Sequence, residues 1–316
     1  MPVIMKLGLI SGLNKLVNDK PQLRQNIGDL VFASHADLKD INWSKAKVFV
    51  PSDPTAITWI SKAVAEINEF LRNQPNATKP SIAYLGGNNG KYKNMNSLET
   101  KLAAQLCKFN GYSLYPFIKG VESEIISKQV GYRVPNQVFK SVELEKESGN
   151  AKQNWENALK QGLLNGVETI VVVGSQEGVA RHIGTLKATL KAHGLATKGV
   201  NIVAYPYTAE ISSENLKSYQ KSFGIKFPVP NGTVSCAKDN WYKSAWGIYR
   251  TFMELLSIKR YSAKGDVYLT DEQKQTLKKV FDEINVKTVA SSIIKAKVLE
   301  NPMVQGLIKL YKNRSK

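Results

Sequence analysis

Three short stretches of this chain carry residue types that bind small polar ligands. The first is Gly86-Gly87-Asn88-Asn89-Gly90, which follows the apolar run Ser81–Leu85. Glycines let a backbone approach a ligand closely, and unpaired N–H groups at a helix start favour an anion. The stretch is neither GxGxxG nor a Walker loop, and Gly-Asn pairs are also ordinary turn residues. The second is Glu145-Lys-Glu-Ser-Gly-Asn-Ala-Lys-Gln-Asn. Ser148 or Asn150 can N-cap the helix that follows, and Asn154 lies one turn beyond Asn150 on the same face. Glu145, Ser148, Asn150 and Asn154 together offer more donors and acceptors than one cap needs. The third is Gly174-Ser175-Gln176-Glu177 with Arg181 one turn later. A planar, permanently charged guanidinium there suits a phosphate or carboxylate, or else pairs with Glu177.

Other chemistry is poorly supplied. There are 3 His, at 35, 182 and 193, with no HxH, HExxH or carboxylate cluster beside them. No GxSxG elbow is present. Cys107 and Cys236 stand apart, without a CxxC. A zinc site, a Ser-His-Asp enzyme and a disulfide framework are therefore disfavoured, no metal is expected, and no catalytic residue is assigned. A phosphoryl or glycosyl hydrolase lacks a convincing general base. His182 falls on a different helix face from Arg181 and reads as structural.

The three stretches need rigid elements to hold them. Thr169–Ser175 is a nearly pure β-branched run, the form of a central parallel strand buried on both faces. Ser81–Leu85, a segment within 109–118, Val138–Leu144 and Gly199–Tyr205 supply further strands. Helical patterns lie between them: 57–71 after an Asp53-Pro54 start, 122–130, 150–164 and about 15 residues after Ser175. Strand and helix alternate, so the expected fold is α/β, a doubly wound Rossmann-like parallel sheet. The candidate loops then all fall at strand carboxyl ends. Residues 1–50 read as an irregular N-terminal extension, 51–231 as the Rossmann-like domain, and 232–316 as a helical C-terminal subdomain with no β signal. In that last part Thr270 is the N-cap of one helix.

Composition sets the bounds. The chain has 316 residues and is long enough to bury a core without staples. Its formal charge is +18, from 44 Lys+Arg against 26 Asp+Glu. Such a balance points to an anionic partner. The cations are mostly Lys, whereas readers of base edges favour the Arg fork, so a sequence-specific nucleic-acid reader is disfavoured. No apolar run is long enough to span a bilayer, and residues 1–13 lack the form of a secretory signal. A soluble, cytoplasmic protein is expected.

Read in order, the motifs form a set: Leu85-Gly-Gly after a strand, Ser or Glu before a helix, Gly131-x-x-x-Pro135, Val142-Glu-Leu-Glu-x-x-Ser-x-Asn-x-x-x-Asn-x-x-Asn-Ala158, and Val171-Val-Val-Gly-Ser175 with Arg181 beyond. This resembles the YdcF/SanA/ElyC family of Rossmann-like domains, and the soluble YdcF branch best. The resemblance covers about residues 80–208 and is most specific over 143–186. It departs at Gly178, where many relatives have His, at Ala151, where Thr is common, and at Lys119-Gly120, where a second Gly-Gly is reduced. Glu122 or Glu124 matches the family's acidic residue, and Glu124 is carried as the candidate.

The resemblance implies a pocket for a small polar, nucleotide-like ligand, S-adenosylmethionine among the candidates. The expected ligand-binding set is Gly86, Gly87, Asn88, Glu124, Glu145, Ser148, Asn150, Asn154, Ser175 and Arg181. The competing expectation is a non-catalytic binding module that uses a basic helical tail on an anionic partner.

Overall fold

A computed structural model describes residues 12–51, 53, 56–74, 78–87, 121–195, 199–208, 210–214 and 233–284. Asn88, the strand expected within 109–118, Lys119-Gly120 and the basic tail after 284 lie outside the described residues.

The chain divides into two compact units. The larger, Val31–Ala209 with Glu254–Leu269, is α/β. Its strands are β1 (Ala46–Pro51), β2 (Ser81–Leu85), β3 (Val142–Glu145), β4 (Thr169–Ser175) and β5 (Asn201–Tyr207). All pairings are parallel, in the order β3-β2-β1-β4-β5. This is the doubly wound order, in which the chain builds outward from β1 in one direction and then returns to the other side.

Alternation along the strands sorts the core into two layers, because successive side chains point to opposite faces. Val48, Val50, Ile82, Tyr84, Val171 and Val173 share one cluster with helices Ile57–Arg72 and Glu122–Arg133. Phe49, Ala83, Leu85, Ile170 and Val172 share the other with helices Ala151–Lys160 and Val179–Ala192, through Trp155, Ala158, Val179, Leu186 and Leu190. Phe49 and Trp155 meet with ring centroids 5.6 Å apart. Full burial of each such apolar side chain contributes about 1.5–3 kcal/mol before entropy is counted.

Two sequence expectations need correction. Residues 1–50 are not an irregular extension: Pro21–Val31 is a helix, and Ala46–Pro51 is the central strand of the sheet. The strand hid because Ala46-Lys47-Val48-Phe49-Val50-Pro51 places a lysine inside a short run and ends on proline. Lys47 is accommodated by its ion pair with Glu143, at 2.7 Å, and a 2.9 Å bond to the Leu163 carbonyl. Nor is the segment after 232 free of strand, since Thr233–Ser235 pairs antiparallel with Glu210–Ser212. The helix expected from Pro54 begins at Ile57, with Ala56 at its cap position.

The smaller unit is Met1–Leu30, Glu210–Met253 and Thr270–Lys316. The borders of the two units thus fall at 30, 209, 253 and 269. Its described elements are mainly helical. Thr270 caps helix Asp271–Ile284 as expected: Gln273 N–H donates to Thr270 Oγ1 at 3.2 Å, and Thr270 N–H donates to Gln273 Oε1 at 3.0 Å. Arg24 lies 4.1 Å above the Tyr242 ring, and Lys238 pairs with Asp29 at 3.3 Å.

Candidate functional site

The carboxyl end of β2 is tied directly to that of β3. Gly86 turns the chain at φ 149°, a region that only glycine adopts readily. Its N–H donates to the Glu145 carbonyl at 3.1 Å, and the Gly87 N–H donates to the Ser148 carbonyl at 2.9 Å and to Ser148 Oγ at 3.2 Å. The carbonyls of Gly86 and Gly87 in turn accept from Ser123 N–H (2.9 Å) and Glu122 N–H (3.2 Å). The glycine pair therefore satisfies the opening donors of helix Glu122–Arg133, a helix whose cap residue Val121 has no side-chain acceptor. Both glycine amides are engaged with protein, so these two do not form the expected open anion cradle.

The loop after β3 is held by its own side chains. Glu145 is fully buried, and its Oε1 accepts from Glu147 N–H (2.7 Å), Ser148 N–H (2.9 Å) and Asn157 Nδ2 (3.2 Å). Ser148 Oγ donates to Asn154 Oδ1. Asn150 is the N-cap of helix Ala151–Lys160, with Oδ1 accepting from Lys152 N–H (3.1 Å) and Gln153 N–H (3.0 Å). Gln153 Oε1 reaches back to Gly149 N–H at 2.7 Å. Between Asn150 and Ser148, the capping role thus falls to Asn150.

At the end of β4 the chain makes a tight turn, Gly178 N–H donating to the Ser175 carbonyl at 2.9 Å. Arg181, one turn into helix Val179–Ala192, pairs with Glu254 rather than Glu177: Nε–Oε2 is 2.6 Å and Nη2–Oε1 is 3.4 Å. The same helix carries the 254–269 segment through backbone contact, since Tyr268 N–H donates to the Gly184 carbonyl at 2.9 Å. A Cβ at Gly184 would lie 2.8 Å from Val267 Cγ1 and 3.2 Å from the Tyr268 carbonyl oxygen. Glycine is what lets the two segments approach.

These elements enclose a cavity of about 470 Å³, within the range of small-molecule sites. Of the expected residues, Gly86, Ser148, Asn150, Asn154 and Arg181 line it. Gly87, Glu145 and Ser175 are not among its lining residues. Glu124 points elsewhere, into a surface ion pair with Lys146 at 2.6 Å, while its neighbour Glu122 is buried and lines the cavity. Lys152, His182, Thr185, Arg260, Tyr261, Lys264 and Asp266 also line it, and the sequence does not assign them to it. Lys152 and Asp266 are bonded at 2.9 Å, which raises the lysine's pKa through the hydrogen bond and the carboxylate charge.

His182 lines the cavity beside Arg181, although it reads as structural in the sequence. Burial, aided by the Arg181 charge, lowers its pKa from 6.5 to about 3. The imidazole is therefore neutral at physiological pH. Its Nδ1 is buried and has no hydrogen-bond partner.

Charge gives the cavity its character. Four cations (Lys152, Arg181, Arg260, Lys264) face two carboxylates (Glu122, Asp266). Among the described residues, Arg260 and Lys264 are in no ion pair, and both are exposed. Among the described residues, no three of His, Cys, Asp and Glu are grouped to hold a metal, and no helix is long and apolar enough to cross a membrane. Compared with family models, curated proteins and solved structures, the chain matches none.

Proposed function

We propose that this is a YdcF-like protein that binds a small anionic, nucleotide-sized ligand in the cavity at the carboxyl ends of β2, β3 and β4. The observation that carries the reading is the excess of cations on the cavity wall, with Arg260 and Lys264 paired to no protein carboxylate among the described residues. Unpaired cations beside a helix start favour phosphate or carboxylate oxygens. The same excess weighs against S-adenosylmethionine, whose sulfonium and ammonium outnumber its one carboxylate. The volume suits a mononucleotide, and Tyr261 offers a ring against which a base can lie.

A thermal-shift panel of AMP, ADP, a UDP-sugar, inorganic phosphate and S-adenosylmethionine tests this. A phosphate-bearing ligand at 100 times its Kd adds about 2.7 kcal/mol of stability. The paired substitution Arg260→Glu/Lys264→Glu removes the shift and leaves the unliganded Tm near that of wild type, because both side chains are exposed. A panel in which no phosphate-bearing compound stabilises the protein, or in which S-adenosylmethionine alone does, overturns the reading.

A further inference from the structure

His182 is an uncharged polar side chain on the cavity wall. It lies on helix Val179–Ala192 next to Arg181 and one turn before Thr185, and all three residues line the cavity. Its Nδ1 is buried without a partner. A residue that lines a cavity with Nδ1 sunk in the wall meets that cavity through the opposite edge of the ring, which carries Nε2.

The missing partner at Nδ1 also determines where the proton sits. A buried N–H with no acceptor is among the rarest defects in folded proteins, whereas a bare acceptor is tolerated more readily. The neutral ring therefore keeps its proton on Nε2. Burial, and after it the charge of Arg181, adjacent on its own helix, keeps the ring from taking up a second proton. Of the other charged groups on the wall, Lys152 stands at the start of helix Ala151–Lys160, and Arg260 and Lys264 come from the 260–266 segment. The carboxylates Glu122 and Asp266 offset only part of this, and Asp266 is bonded to Lys152.

We infer that His182 is a ligand-contact residue, donating a hydrogen bond from Nε2 to an oxygen of the bound anion. The inference rests on the anionic-ligand reading above and adds a specific recognition atom to it. No bond is made or broken. The imidazole acts as an uncharged donor among cations, so it supplies direction where Lys264 supplies only charge.

The chain has 3 histidines, which makes the test spectroscopic. Long-range 1H–15N spectra of the 15N-labelled full chain at pH 7 report the tautomer of each ring, without ligand and then with inorganic phosphate or AMP. The expected result is an Nε2–H tautomer for His182, assigned by its absence in His182→Gln, and an Nε2 resonance that moves on addition while His35 and His193 stay put. His182→Leu should weaken binding about tenfold or more, as loss of a hydrogen bond to a charged group does, and His182→Gln should recover most of it. A protonated Nδ1 overturns the inference before any ligand is added. Binding that Arg260→Glu/Lys264→Glu abolishes, but that neither moves the His182 resonance nor responds to His182→Leu, overturns it alone and leaves the site standing. No binding of either anion overturns both.

Discussion

Gly87 is the residue on which the wall of the cavity depends, and Gly87→Ala is the sharpest test of its geometry. An ideal Cβ at this position falls 2.5 Å from the Ser148 carbonyl oxygen, 2.6 Å from the Lys146 carbonyl oxygen and 2.6 Å from the Ser148 nitrogen. All three atoms are backbone, so no side chain can swing aside to relieve the clash. The loop must retreat, and its retreat stretches the two bonds from Gly87 N–H to Ser148 O and Oγ, at 2.9 and 3.2 Å. Overpacking of this kind costs about 1–3 kcal/mol. Each weakened hydrogen bond adds about 0.5–1.5 kcal/mol. The expected loss is about 2–6 kcal/mol, and a loss of about 3 kcal/mol lowers the Tm by roughly 6–12 °C for a unit of this size. Urea unfolding gives the free energy directly. Gly131→Ala is the matched control: Gly131 is exposed within helix Glu122–Arg133, and a Cβ there meets nothing within 4 Å. That variant should gain about 0.5–1 kcal/mol. If Gly87→Ala unfolds within 0.5 kcal/mol of wild type, the tight packing of β2's end on the 145–148 loop is refuted.

Asn150→Asp separates the cap from the ligand site. Aspartate caps a helix as well as asparagine, so stability should stay within about 0.5 kcal/mol, whereas Asn150→Ala loses about 1 kcal/mol. The added charge sits on the cavity wall, so Asn150→Asp should weaken binding of phosphate or AMP in calorimetry, and unchanged affinity would remove Asn150 from the site. His182 makes stability depend on pH. Its pKa in the folded chain, about 3, lies below the ordinary 6.5, so the unfolded chain takes up the proton first as pH falls. Stability from this group is complete above pH 6.5 and drops by about 1.4 kcal/mol per pH unit below it, until pH nears the folded value. From pH 7 to pH 5 that is about 2 kcal/mol, and His182→Gln should lose correspondingly less. Equal pH slopes for the two proteins in urea unfolding would show that His182 is not held neutral.

The parts of the fold that announced themselves are those in which local pattern and tertiary role coincide. Thr169–Ser175 reads as a buried strand because every residue from Thr169 to Gly174 is buried. Helices Ile57–Arg72 and Val179–Ala192 follow from spacing alone. β1 was missed because its context is tertiary: Lys47 fits a central strand only once Glu143, distant in sequence, supplies its carboxylate. The short pair Glu210–Ser212 and Thr233–Ser235 has too few residues to show a period of two. The site divided the same way. Loops at strand ends were legible, since topology alone sends them to the carboxyl edge of the sheet. The 260–266 wall was not, because Arg260 and Lys264 carry no motif, and the 254–269 segment that holds them reaches the site through tertiary contacts at Gly184, Arg181 and Lys152.

The polar excess that drew attention to residues 145–154 is largely taken up by the loop itself. Glu145 holds two loop amides, Asn150 holds two amides of the helix, and Ser148 bridges Gly87 to Asn154. Such groups set the shape of the cavity wall but retain little hydrogen-bonding capacity for a ligand. Arg181, the cation that sequence reading singled out, is likewise held by Glu254, so an anion at its guanidinium must share it. Cationic donors that no protein carboxylate holds among the described residues remain on the wall at Arg260 and Lys264, and the His182 ring adds a further polar edge. On the proposed ligand reading, specificity rests more on the helix Val179–Ala192 and the 260–266 segment than on the loops at the strand ends. It follows that substitutions in the two groups should separate experimentally, those in the loops lowering stability and those at Arg260, Lys264 and His182 lowering affinity.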